Sequence, residues 1–204
     1  MGEKSNYLIR KVHSLLGIIP VGIFLMVHLS LNSTVFFGGY ANYLVTVEWM
    51  KGLPLIMVAE VVIIGIPILF HALYGLWIVY VAKNNVLKFP YLRNWAFYLQ
   101  RITAVITLVF LLAHVVSLRF LEHEPAAVIQ SLAGSLHHPL FFILYAVGVL
   151  SALFHFANGL FTFLISWGIA EGDKAQRIFT WCSGAVFAAL GILGISILSV
   201  IARF

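Results

Sequence analysis

The sequence is short of charge and of cysteine. Asp, Glu, Lys and Arg together make up 9% of its 204 residues, against about 25% in soluble domains. So few charges cannot cover a globular surface of this size, which excludes a soluble enzyme. The 62% share of hydrophobic residues excludes a disordered chain. The single cysteine, Cys182, leaves no internal disulfide, and the four thiolates of an iron–sulfur cluster are missing. There is no glycine-rich dinucleotide fingerprint either. What remains is a chain of mean hydropathy +1.04, whose natural solvent is a bilayer. The residues left over for chemistry are chiefly its 8 histidines.

Five apolar runs reach the roughly 20 residues that a helix needs to cross a bilayer. They are Val12–Leu31, Leu53–Val81, Trp95–Leu118, Pro139–Ile169 and Ile178–Ala202. The second and fourth exceed that length, so tilt or protrusion is expected. Barrel strands are shorter and alternate in polarity. The expected fold is an all-α integral membrane protein, a single domain over residues 1–204 with five transmembrane helices. The gaps Asn32–Gly52, Ala82–Asn94, Arg119–His138 and Ala170–Arg177 read as short polar connections, none able to form a soluble domain. Pro20 and Pro67 lie inside helices and are expected to kink them.

The net charge of +5 reads as membrane orientation, with the bilayer as partner and not nucleic acid. Lys4, Arg10, Lys11, Lys83, Lys88, Arg93, Arg101, Lys174 and Arg177 fall on one side; Lys51, Arg119 and Arg203 fall on the other. The basic side is expected to be cytoplasmic, which places the N-terminus inside and the C-terminus outside. The first apolar run is too long for a signal peptide and lacks a small-residue cleavage site, so it is expected to stay as a helix. Trp77, Trp95, Trp167 and Trp181 toward the inner ends, and Trp49 near the outer surface, fit interfacial anchoring.

Four histidines lie within the runs, one on each of the first four: His28, His71, His114 and His155. An ionisable side chain inside a membrane is a functional candidate by default. Depth sorts them. His28 precedes Asn32 by four residues and His114 precedes Arg119 by five, about 6–8 Å inside the outer boundary at the helical rise. His71 follows Pro54 by 17 residues and His155 follows Pro139 by 16, about 24–26 Å from that boundary. This gives an outer pair, His28 and His114, and an inner pair, His71 and His155, about 17 Å apart. Two histidines at one depth on facing helices can fill both axial positions of a haem iron, an arrangement suited to electron transfer. The expectation is a bundle with two haems b, one per leaflet. Gly75 and Gly159, four residues after His71 and His155, are expected to leave room for a macrocycle. Phe24 and Phe110, four before His28 and His114, are placed to pack on one. A lone membrane histidine is usually an interhelical hydrogen-bond donor; four in two depth-matched pairs are harder to obtain that way. His123, His137 and His138 read as solvated loop residues.

Several stretches make the sequence resemble the cytochrome b membrane-anchor subunits of succinate dehydrogenase and fumarate reductase, in the single-polypeptide, five-helix, diheme class. They are Arg10-Lys11-Val12-His13-Ser14-Leu15-Leu16-Gly17, Pro20-Val21-Gly22-Ile23-Phe24-Leu25 before His28, His71-Ala72-Leu73-Tyr74-Gly75-Leu76, Ala82-Lys83-Asn84-Asn85, Leu99-Gln100-Arg101-Ile102-Thr103 and Phe154-His155-Phe156-Ala157-Asn158-Gly159-Leu160. The resemblance covers nearly the whole chain. It implies the same histidine pairing and a place in a bacterial cytoplasmic membrane. It also implies a flavoprotein partner with FAD, an iron–sulfur partner on the cytoplasmic face, and a membrane quinone as electron acceptor. The two histidine depths let electrons run outward with the membrane potential, so a low-potential quinone such as menaquinone is the expected acceptor. On that reading the chain is not an enzyme alone but the quinone-reacting subunit of an oxidoreductase.

Secondary sites carry paired readings. Glu60, the one carboxylate within a run, reads either as lining a quinone or proton path beside the outer haem or as a carboxyl bonded to a neighbouring helix. Arg10, His13, Ser14 and Arg101 at the inner helix ends read as partners for haem propionates or as headgroup and partner anchors. Three wider alternatives stand: the reverse reaction, as a quinol:fumarate reductase; a proton-relay transporter, for which the runs hold few polar residues; and a passive membrane anchor without cofactor, against which the paired histidines argue.

Overall fold

A computed structural model describes residues 3–121 and 123–204, and the described residues form helices joined by short turns. Five helices are long and apolar enough to cross a membrane: Asn6–Phe37, Ile56–Val81, Leu92–Leu121, Pro139–Ser166 and Gly172–Ile201. The five expected runs are all present, and most are longer than hydropathy alone indicates. Polar ends such as Leu92-Arg93-Asn94 and Gly172–Arg177 stay helical because a backbone leaving the hydrocarbon keeps its internal hydrogen bonds.

Two of the expected polar gaps are not simple loops. Gly39–Lys51 and Pro125–Leu136 are helices of 13 and 12 residues, too short to span. The second carries its proline in the first turn, where the missing N–H costs no hydrogen bond. Their apolar faces bury Tyr43, Val47, Ile129, Leu132 and Leu136 against Leu29, Val35, Leu153, Leu190, Ile197 and Ile201. The main buried core therefore sits at one end of the bundle, under these two capping helices.

Both internal prolines act on the backbone. The first span breaks at Ile19, between Glu3–Ile18 and Pro20–Asn32. In the second span a π-helical turn, Glu60–Gly65, precedes Ile66–Val81. Pro67 cannot donate to the carbonyl four residues earlier and its ring crowds it; the widened turn absorbs that conflict.

The fourth span is central and packs on the first, third and fifth, while the second packs mainly on the first. The second and third spans touch little, leaving a cleft between them. Almost nothing on their surfaces is buried. At the end opposite the capping helices, Asn94 is buried and donates to Asn85 Oδ1 at 2.9 Å and to the Phe89 carbonyl at 2.8 Å, fixing the connection between them. Gly168, at φ 70, ends the fourth span in a left-handed turn that a side chain would strain. Trp49, Trp77, Trp95, Trp167 and Trp181 are all exposed.

Candidate functional site

The four intramembrane histidines meet as two pairs. The His28 and His114 ring centres lie 5.9 Å apart with planes at 88°. Those of His71 and His155 lie 6.1 Å apart at 83°. The first pair comes from the first and third spans and the second from the second and fourth, so the pairs lie on the two diagonals of a four-helix bundle. A metal–imidazole bond is about 2 Å long, so two imidazoles on opposite sides of one ion have ring centres about 6 Å apart. Both separations fit that requirement. No group of three or more His, Cys, Asp or Glu side chains that could hold a metal occurs among the described residues. A metal here would need its remaining ligands from a macrocycle.

On three of the four rings the second nitrogen has a partner. His71 Nδ1 donates to the His13 carbonyl at 3.0 Å, and His155 Nδ1 to the Gln100 carbonyl at 3.2 Å. His114 Nδ1 lies 2.5 Å from the Tyr145 hydroxyl. The two carbonyl contacts fix the tautomer and leave Nε2 of His71 and His155 as the free donor atom, the habit of metal-binding histidines. Gln100 is held in turn: its Nε2 donates to the His155 carbonyl at 2.9 Å, and buried Asn158 donates to its Oε1 at 2.8 Å.

Phe24 and Phe110 flank their histidines as the spacing predicts, with ring centres 5.5 Å from His28 and from His114. A Cβ on Gly75 meets His13 Nε2 at 3.3 Å, and one on Gly159 meets Gln100 Nε2 at 3.4 Å. These are the side chains of the two residues whose backbone carbonyls accept from His71 and His155. Gly17 is the tighter position: a Cβ there falls 2.4 Å from His71 Cε1.

His13 stacks on His71, ring centres 4.2 Å apart and planes at 5°. Its Nε2 is buried and has no hydrogen-bond partner. Arg101 lies over the Phe97 ring at 3.7 Å, and one of its terminal nitrogens is likewise buried and unpartnered. Arg101 lines a cavity of about 380 Å³ with Val79, Ala82, Asn84, Tyr98, Ile102, Val105 and Ile106, between the second and third spans. Ser14 is half-buried and Arg10 exposed. His123, His137 and His138 are exposed, as loop histidines should be.

Glu60 makes an ion pair with Arg119, whose Nη2 and Nε donate to Oε2 at 2.8 and 3.0 Å. Arg119 lies in a second π-helical turn, Val116–Leu121, so both partners leave regular helix where they meet. Lys51 donates to the His123 carbonyl at 2.6 Å close by. Desolvation first, and then the Arg119 charge, hold the Lys51 amine below its usual range.

Fold and site together define a polytopic helical membrane protein with two facing imidazole pairs on the diagonals of its bundle. Residues 80–194 match the family described as the succinate dehydrogenase/fumarate reductase transmembrane subunit. The chain belongs to that family. It is 41% identical over 196 residues, 96% of each chain, to the succinate dehydrogenase cytochrome b558 subunit of Bacillus subtilis (strain 168).

Proposed function

We propose that this chain is the diheme cytochrome b subunit of a bacterial succinate dehydrogenase, set in the cytoplasmic membrane. The observation that carries the reading is the pair of imidazole separations, 5.9 and 6.1 Å, on crossed diagonals. Haems bound at both levels supply one-electron relays between a cytoplasmic iron–sulfur partner, fed by a flavoprotein, and a membrane quinone. His28 and His114 hold the outer iron, and His71 and His155 the inner one. The carbonyls of His13 and Gln100 keep the inner imidazoles in the ligating tautomer. His13 Nε2 and Arg101, polar atoms buried without partners, are suited to meet the carboxylates of a propionate-bearing ring. Ser14 and Arg10 stand on the same helix beside His13.

Glu60, with Arg119, is read as bordering the quinone and its proton path at the outer level. The quinone is read as menaquinone, because two levels of relay let electrons run outward with the membrane field. That field is worth about 2.3 kcal/mol per charge per 100 mV. Succinate oxidation is the direction named for the Bacillus relative, and the same residues serve the reverse reaction.

The test is the pairing. His28→Ala and His114→Ala are each expected to remove the same haem from the spectrum, and His71→Ala and His155→Ala the other. Loss of different haems within one pair contradicts the reading. Glu60→Gln is expected to keep both haems and lower quinone reduction several-fold; unchanged quinone activity ends the role given to Glu60.

A further inference from the structure

The two histidine pairs are oriented by different means. At His71 and His155 each Nδ1 faces a backbone carbonyl, at 3.0 and 3.2 Å. A carbonyl only accepts, so those rings have one tautomer whatever the nearby side chains are. At the other pair no backbone group serves. His28 makes no ring hydrogen bond among the described residues, and His114 Nδ1 faces the Tyr145 hydroxyl at 2.5 Å. A phenol both donates and accepts, so the proton on His114 is governed by one side chain. Tyr145 is held for this contact: Phe110 meets its ring edge-on at 5.0 Å and 89°. Phe110 can sit there because Gly148 has no Cβ, which would fall 2.2 Å from Phe110 Cδ2.

We propose that Tyr145 is the positioning residue of the His28–His114 centre. Its hydroxyl oxygen accepts from His114 Nδ1–H, which directs Nε2 to the metal and makes the imidazole a stronger donor. The backbone-set pair has no counterpart, so a side-chain change tunes one centre of the two. This rests on the bis-histidine haem reading above. A stronger donor favours the ferric state, so removing the acceptor raises the reduction potential of that centre alone.

The experiment is Tyr145→Phe in the assembled complex, read by redox titration of the haem α bands and by low-temperature electron paramagnetic resonance. Wild type and His114→Ala run alongside. The wild type should show two haems; fewer overturns the haem reading itself, and this proposal with it. In Tyr145→Phe the haem that vanishes in His114→Ala should titrate at a higher potential with an altered low-spin signal, and the other should not move. A Tyr145→Phe complex lacking just that one haem supports the proposal too. Unchanged potentials and signals, equal shifts of both haems, or loss of the other haem overturn it. Tyr43→Phe is the control. It removes the Tyr43 hydroxyl's 2.6 Å hydrogen bond to Asn32 on the first span and leaves Tyr145 in place. It should move neither potential, and a shift matching that of Tyr145→Phe overturns the assignment.

Discussion

At the scale of single residues, the histidines were legible in the sequence and most of what holds them was not. Depth along a helix follows from counting, because the rise per residue is fixed, so the sequence alone matches His28 with His114. Rotation about the helix axis and the approach of a neighbour do not follow from counting. The stacking of His13 on His71 and the contact of Tyr145 with His114 both depend on them. Gly17 had a signal: it follows His13 by four residues, as Gly75 follows His71, and the same shared-face reasoning applies. Gly17→Ala puts a methyl 2.4 Å from His71 Cε1. It is expected to cost about 1–3 kcal/mol as an overpacked contact and to strip the haem of the His71–His155 pair while sparing the other. A difference spectrum of the purified variant checks this. Tyr43, outside the spans, gives a prediction in pH. Burial pushes its hydroxyl up from 10.0 to about 12. The unfolded chain loses the proton first, so stability is full below pH 10 and falls as pH rises toward 12. Tyr43→Phe should flatten that part of the melting profile against pH.

At the scale of elements, long apolar runs gave the spans, and shorter helices escaped. Gly39–Lys51 and Pro125–Leu136 lie below the spanning length, and their polar residues made them look like connections. Their burial of Tyr43, Val47, Ile129 and Leu132 is a tertiary fact. The π turns were equally hidden, although Pro67 marked the place of one. The Glu60–Arg119 pair that joins these turns is partly exposed, with side-chain exposures of 33% and 40%. A double-mutant cycle with Glu60→Gln and Arg119→Gln in detergent should therefore return a coupling of about 1 kcal/mol or less. A much larger coupling would make the pair a structural clamp. Gly148 on the fourth span faces Phe110 on the third, and small residues at such contacts let membrane helices pack. Gly148→Leu should lower the melting temperature of the haem band more than Gly184→Leu, whose Cβ position is open.

For the whole molecule, two levels of paired imidazole across five spans are the basis of the proposed electron route through the membrane. On the proposed reading, the nine-to-three bias of basic residues sets the direction of that route, with the inner pair toward the cytoplasm. If electrons leave near the outer face, collapsing the membrane potential should slow succinate–menaquinone turnover in intact cells. Turnover indifferent to an uncoupler contradicts the direction. The central claim is simpler than its direction: four histidines on four helices hold two haems. The most direct measurement is haem b per chain in the purified protein, by reduced-minus-oxidised spectra calibrated against protein mass. The account predicts two. A value of one, or an absent α band, contradicts it.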